Sequence, residues 1–369
     1  MNAVRKFIKK EPVLTIAGIA AIVSMFFIKP DKEYLSYINY SVIILLFCLM
    51  LVVAGLMNTH LFDIISSKMM KISDSSRGIT LMLINITFFS AMLITNDVAL
   101  ITIVPLTIGL FPENKRGLLI PVIAMETVAA NLGSMMMPFG NPQNLHLYSF
   151  YEMDPFHFIM TLLPFGLLSL GLVNITVFII IKNKKICTEN KSAAVIENKR
   201  DFFSYTALFI VCILTVLRLV NIFICLFAVI VVFLITDRKL FRKVDYNLLL
   251  TFIAFFVFVG NISRVEIIKE KVFEFIDGRE FMLGVVASQV ISNVPASIML
   301  SGFTRHADEL LIGVNAGGLG TLVASLASLI SYKFYAANKN ADIKKYLIVF
   351  TDINVVFLAA LIVLFLCIY

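Results

Sequence analysis

Apolar runs of membrane-crossing length, separated by short charged gaps, dominate this chain of 369 residues. A spanning helix needs about 20 mostly apolar residues. Runs near that length lie at 13–28, 38–57, 117–148, 157–181, 204–217, 219–235, 248–262, 310–335 and 346–368, so nine crossings are expected. Of all residues 60% are apolar and 15% charged, against about 45–50% and 25% in soluble domains. Too little polar surface remains to cover a water-soluble core of this size. That excludes a soluble enzyme, a disordered scaffold and a disulfide-stapled secreted module. Arg5, Lys6, Lys9 and Lys10 precede the first run as in a signal peptide, but no small-x-small cleavage site follows and Lys29-Pro30-Asp31 ends it. A retained helix is expected there.

Two further stretches, 79–110 and 281–303, carry a polar break at their middle, Thr95-Asn96-Asp97 in one and Ser292-Asn293-Val294-Pro295 in the other. Halves of about 10 to 16 residues are too short to cross comfortably. Irregular backbone at membrane depth survives only where protein buries it or it lines a watery cavity. Each stretch is therefore expected to be a re-entrant hairpin with a polar tip.

The net charge of +7 would suggest nucleic acid in a soluble protein, but Lys and Arg here fill the gaps between apolar runs. With the N-terminus placed inside, the inner gaps hold 22 of them and the outer gaps 8. The positive-inside rule favours that orientation, with a cytoplasmic N-terminus and an outer C-terminus. The expected partners are then a lipid bilayer and a small molecule, and no nucleic acid.

A repeat lies within this pattern. Asn58, Asp63, Ile64, Ile65 and Lys68 match Asn261, Glu266, Ile267, Ile268 and Lys271 at a constant offset of 203. In both segments apolar residues recur at helical spacing (Leu61, Ile65, Met69, Ile72; Val265, Ile268, Val272, Phe275), as in a helix lying in the interface plane. Each half continues with a polar-tipped hairpin, a long interrupted helix and a plain helix. The expected fold is thus an all-α polytopic membrane protein of two inverted-topology repeats. The first half is 1–181, with hairpin 79–110 and broken helix 117–148, and a cytoplasmic linker occupies 182–203. The second half is 204–369, with hairpin 281–303 and broken helix 310–335. Many secondary transporters share this plan, with the substrate held at the midplane where broken helices meet.

The interrupted helices contain Asn131-Leu132-Gly133-Ser134 with Pro138-Phe139-Gly140-Asn141-Pro142-Gln143-Asn144, and Asn315-Ala316-Gly317-Gly318-Leu319-Gly320-Thr321. Unwound carbonyls and half-helix ends can coordinate a cation, while helix N-termini and Asn, Ser and Thr groups can hold an anion. The bland alternative is that the small residues only permit close helix packing. Ionisable groups at bilayer depth default to function. Asp97 at a tip and Glu126 shortly before the first unwound loop qualify, whereas Asp352 near the inner end of the last helix is expected to be solvated. Arg218 in a tight outer turn reads as a snorkelling residue.

Five Cys and four His show no C-x-x-C and no H-x-x-x-H spacing, and no G-x-x-x-x-G-K-[ST] occurs. An ATP-driven pump and a metal or haem enzyme therefore have no support, and no cofactor is expected beyond a coupling Na⁺ or H⁺.

The quoted stretches, with Val98-Ala99-Leu100, Val104-Pro105, Ala129-Ala130 and Ala296, resemble the ion transporter superfamily over about residues 38–368. That superfamily includes citrate transporter-like, arsenite permease-like and divalent anion:sodium symporter-like permeases, and sodium/proton antiporters. In its dicarboxylate carriers each tip carries Ser-Asn-Thr and forms, with the neighbouring unwound loop, a sodium site and a carboxylate site. The resemblance implies substrate contacts at Asn96, Asn141, Ser292, Asn293 and Thr321. It implies ion coupling at Thr95, Asn96, Asp97, Glu126, Asn131, Gly133, Ser134, Asn293, Asn315, Gly317 and Gly318. Na⁺ would sit at Asn96/Asn131/Ser134 and at Asn293/Asn315/Gly318.

Here the final Thr of the tip is Asp97 in one case and Val294 in the other. A carboxylate beside an anionic substrate repels it unless protonated or cation-paired. That departure favours a proton-linked carrier or a neutral oxyacid such as arsenite. Expected is a secondary active permease for a small anion or oxyacid, citrate- or dicarboxylate-like or arsenite-like, driven by H⁺ or Na⁺. A Na⁺/H⁺ antiporter and a passive anion channel are the alternatives, and a homodimer is the assembly left open.

Overall fold

The computed structural model describes residues 11–59, 64, 75–111, 117–184, 198–338 and 341–369, helical throughout with no β-strand among them. The first half comprises α1 (Pro12–Ser24), the short α2 (Tyr34–Tyr37), α3 (Tyr40–Asn58), α4 (Ser76–Ile94), α5 (Asn96–Leu110), α6 (Leu119–Ser134), α7 (Pro142–Phe150) and α8 (Pro155–Ile180). The second comprises α9 (Lys199–Val216), α10 (Ile222–Thr236), a 3-10 segment (Arg238–Lys243) and α11 (Tyr246–Ser263). It continues with α12 (Glu266–Ile276), α13 (Glu280–Ile291), α14 (Asn293–Ser301), α15 (Ala307–Ala316), α16 (Leu326–Ala336) and α17 (Ile343–Ile368).

Helix starts follow local chemistry. Asn39, Asn141, Asp154, Asn198, Asn221, Asp245 and Asp342 each precede a helix and accept a backbone N–H of its first turn. Such a cap satisfies one of the donors that a helix N-terminus leaves unpaired. Pro142 and Pro155 occupy first-turn positions, where a missing N–H costs nothing.

Among the described residues, α3, α4, α8, α11 and α17 are long and apolar enough to cross a membrane. Large side chains such as Ile179, Phe227 and Leu366 point outward, unpartnered by protein, as a bilayer solvent allows and water does not. The protein is a multi-pass membrane protein.

Two expected boundaries shift. α1 ends at Ser24 rather than 28 and is 13 residues long, roughly 20 Å at 1.5 Å per residue. It packs along α11, where Asn261 Nδ2 donates to Ser24 Oγ at 2.9 Å and to the Tyr34 hydroxyl at 2.8 Å. Just beyond, Arg264 donates to Asp31 at 2.7 Å and to the Tyr37 hydroxyl at 2.9 Å. Its guanidinium holds the Asp31 carboxyl below the usual carboxylate range. The first hairpin is also longer than expected, because its incoming arm α4 runs 19 residues.

Both hairpins form. α4 packs on α5 and α13 on α14, and each pair packs on the first segment of its own interrupted helix, α6 or α15. The segment expected to be the second interfacial helix forms α12, with Val265, Ile268, Val272 and Ile276 turned inward and Phe275 exposed. The first, expected at 61–72, and Cys187 in the expected linker lie outside the described residues.

Candidate functional site

The two hairpin tips share one backbone conformation. Thr95 has φ 76° and ψ 150°, and Ser292 has φ 75° and ψ 151°. A positive φ in a residue with a Cβ is uncommon and is held only where the surroundings impose it. In both cases the next amide is bonded to the unwound loop of the same half. Asn96 N–H donates to Gly140 O at 3.3 Å and Asn293 N–H to Ala324 O at 2.9 Å. Gly140 and Ala324 each immediately precede the residue that restarts the broken helix, Asn141 or Ser325.

Side chains extend the match across the halves. Asn141 lies ten residues after Asn131, and Ser325 ten after Asn315. Asn141 Nδ2 donates to Asn315 Oδ1 at 3.1 Å, and Ser325 Oγ donates to Asn131 Oδ1 at 3.0 Å. Asn131 Oδ1 also accepts from Asn96 Nδ2 at 3.0 Å, and Asn131 Nδ2 donates to Gly318 O at 3.3 Å. Ser134 Oγ donates to Asn131 O at 2.9 Å and accepts from Asn141 Nδ2 at 3.2 Å. Asn315 Nδ2 donates to Asn144 Oδ1 at 2.7 Å. All these side chains are buried. Gly133 lets the first hairpin approach, since a Cβ there would overlap the Phe88 carbonyl. Gly320 adopts φ +105°, which a side chain would oppose.

The first expected cation set, Asn96, Asn131 and Ser134, is thus joined by hydrogen bonds. The second is not. Asn293 lies against Gly318, but Asn315 turns to Asn141 and Asn144 in the other half. The second loop's carbonyls are engaged by Gln289, whose Nε2 donates to Gly317 O at 2.8 Å and Leu319 O at 2.9 Å. Thr321 is exposed, and its N–H and hydroxyl both bond Gln289. Ser292 Oγ reaches Ala324 O at 3.4 Å.

Two cavities share a wall on α7. One of about 320 Å³ is lined by Thr95, Asp97 and Asn141, by apolar residues of α3, and by Lys243 and Asp245 from the segment entering α11. The other, about 620 Å³, is lined by Asn39, Tyr148, Glu152, Thr215 and Arg218. Leu145 lines both. Arg218 does more than snorkel. Its Nη1 donates to Glu152 O at 3.3 Å, and its guanidinium lies 5.1 Å from the Tyr148 ring centroid.

Glu126 is fully buried. The Thr107 hydroxyl donates to its Oε1, while Oε2 has no partner among the described residues. Ser328 Oγ also lacks a partner among the described residues, and Thr127 Oγ1 donates to Ser331 Oγ at 2.7 Å. Asp352 is exposed.

Ser325, Gln289, Lys243, Asp245 and the buried His146 escaped sequence reasoning, and Asn144 was read only as part of its loop motif. Ser325 had a signal, the ten-residue spacing it shares with Asn141. Gln289 stood alone as an amide within an apolar arm. Lys243 and Asp245 were hidden in a charged gap, and nothing in the sequence marked His146, whose Nε2 lies 3.0 Å from Ser301 Oγ.

The sequence model of a family described as citrate transporter matches residues 6–308, a span that includes both tips. An uncharacterized transporter of Methanocaldococcus jannaschii is 35% identical over 321 residues, covering 86% of each chain. The inner membrane protein YbiR of Escherichia coli K12 is 30% identical over 331 residues, covering 87% of this chain and 86% of its own.

Proposed function

The chain belongs to the citrate transporter family, and from that premise we propose that this membrane transporter is a secondary active permease for a small anion or oxyacid, coupled to H⁺ or Na⁺. The observation that carries the reading is the reciprocal bonding of Asn141 to Asn315 and of Ser325 to Asn131. It joins two similarly built broken helices at the protein's centre, the arrangement expected where inverted repeats enclose a substrate. Substrate enters the Asp97 cavity past Lys243, and Asn96 and Asn141 present polar groups to it. Asn293, Ser292 and Thr321 complete the site when the transporter changes state. Asn96, Asn131 and Ser134 form the first coupling site, with Thr95 and Gly133 shaping it and Asp97 as its titratable neighbour. The second, at Asn293, Asn315, Gly317 and Gly318, requires Gln289 to release the Gly317 carbonyl. Glu126 is the buried proton-coupling candidate. Leu145, which lines both cavities, is the position at which this reading places the gate of alternating access.

A Na⁺/H⁺ antiporter is the second reading, because Asp97 and Asp245 line one cavity with a single lysine. The decisive experiment is counterflow in proteoliposomes with citrate, a dicarboxylate and arsenite under imposed Na⁺ and pH gradients. Saturable counterflow of one of them supports the permease. Gradient-driven Na⁺ movement with no anion dependence would replace it with the antiporter. For orientation, a reporter fused after Tyr369 should lie outside the cell, and a cytoplasmic signal would overturn the inverted repeat.

A further inference from the structure

The wide end of the second hairpin, remote from its tip, gathers ligands from three chain segments. Asp277 follows α12, Glu280 opens α13 and His306 precedes α15. One ligand atom from each lies within 4.8 Å of the other two, and His306 Nε2 is 3.3 Å from Asp277 Oδ1. Zn²⁺ with bonds of about 2.0–2.1 Å in a tetrahedron sets its ligand atoms roughly 3.3 Å apart, so a modest closure completes the geometry. Glu309 faces the other ring nitrogen, with Oε1 3.8 Å from His306 Nδ1, where a carboxylate orients a metal-binding imidazole and does not ligate the ion itself.

A second observation points to a cation independently of this spacing. Glu280 is only 2% exposed, yet among the described residues no Lys or Arg pairs with it. The Thr304 hydroxyl donates to Oε1 at 2.8 Å and is the partner the structure gives this carboxylate. A buried carboxylate without a counter-charge is costly, and a bound cation removes that cost. The loop carrying His306 is already held in place. The Tyr151 hydroxyl donates to Ser301 O at 3.2 Å and Thr304 O at 3.1 Å, and His306 N–H donates to Thr304 Oγ1 at 3.0 Å.

We propose that Asp277, Glu280 and His306 form a divalent-cation site that clamps the wide end of the second hairpin to the start of α15. The imidazole with two carboxylates selects Zn²⁺ over Mg²⁺ or Ca²⁺, which prefer all-oxygen sets. The site is separate from the transport centre, so its test stands whatever the substrate proves to be.

The test uses full-length protein without a polyhistidine tag, stripped with EDTA and titrated with Zn²⁺ against a chromophoric chelator. One Zn²⁺ per chain is expected, with a rise in thermal midpoint that Mg²⁺ does not reproduce. His306→Gln, at a half-exposed position, should weaken binding at least tenfold, as should Glu280→Gln. His157→Gln, at an exposed histidine paired with Asp308, should leave binding unchanged. Should Glu280→Gln fail to fold, His306→Gln decides alone. Absence of stoichiometric Zn²⁺, or binding that His306→Gln leaves intact, overturns the site.

Discussion

Asn141 Nδ2 donates to Asn315 Oδ1 at 3.1 Å, tying the residue that restarts one broken helix to the last turn of the first segment of the other. Asn141 also accepts from Asn144 N–H at 2.8 Å and so caps α7. One side chain therefore holds a helix end and a contact between halves, and a change in either is felt by the other. Coupling between two halves of a transporter needs such shared groups, since a ligand shifts an equilibrium only through contacts that differ between its states.

Asn141→Ala should consequently be doubly destabilising. Losing the cap costs about 0.5–2 kcal/mol, and leaving buried Asn315 Oδ1 without that donor costs about 1–3 kcal/mol. Asn141→Ser should recover the cap share, since serine is among the strongest N-cap residues. Thermal unfolding in detergent should rank wild type above Asn141→Ser and Asn141→Ala lowest. An alanine variant as stable as wild type would remove the network from the protein's cohesion.

Glu126→Gln carries an opposite expectation for stability. The carboxylate has one hydroxyl donor and an oxygen with no partner among the described residues. A charge so placed is costly, whereas a neutral amide of the same shape is less so. The variant should melt at or above the wild-type temperature while losing uphill accumulation driven by a pH gradient. Lower stability with normal accumulation would make Glu126 a structural residue.

Much of this architecture is legible in the sequence because the bilayer makes errors expensive. A polar triplet inside an apolar stretch has few places to go, so Thr95-Asn96-Asp97 and Ser292-Asn293-Val294 announce their tips. Glycine and asparagine at 131–144 and 315–321 announce the unwound loops for the same reason. What stays hidden is pairing between distant segments. The resemblance groups Asn293, Asn315 and Gly318 as one cation set, but the Asn315 side chain bonds Asn141 and Asn144 instead. Gln289 engages the Gly317 and Leu319 carbonyls. Lys243 and Asp245 look like solvated gap residues, and only tertiary folding brings them to the cavity of Asp97.

Asp97→Asn separates coupling from binding. The residue lines the cavity beside the Asn96–Asn131 pair, and the amide preserves its shape without titration. If Asp97 carries the coupling proton or cation, the variant should exchange substrate between equal compartments at near-normal rates. Uphill uptake and its pH dependence should be lost. An unchanged pH profile with full accumulation would move coupling to Glu126.

Lys243→Glu distinguishes the two readings of the cavity. Lys243 is exposed, so the substitution leaves folding intact while reversing the charge at the entrance. Two unit charges about 4 Å apart in water interact by roughly 1 kcal/mol, and by about 4 kcal/mol near a protein surface. Reversal therefore swings an approaching ion by tenfold or more. For an anion permease, KM should rise at least tenfold, with a smaller effect at high salt because screening removes the repulsion. Maximal rate should change little, since the residue meets substrate before the transporter changes state. For a cation exchanger the same substitution should lower the apparent KM for Na⁺, because the cavity would then present Asp97, Asp245 and the new carboxylate without a lysine. Measured against citrate, arsenite and Na⁺ in one proteoliposome preparation, the direction of the KM change identifies the charge of the ion that this cavity receives.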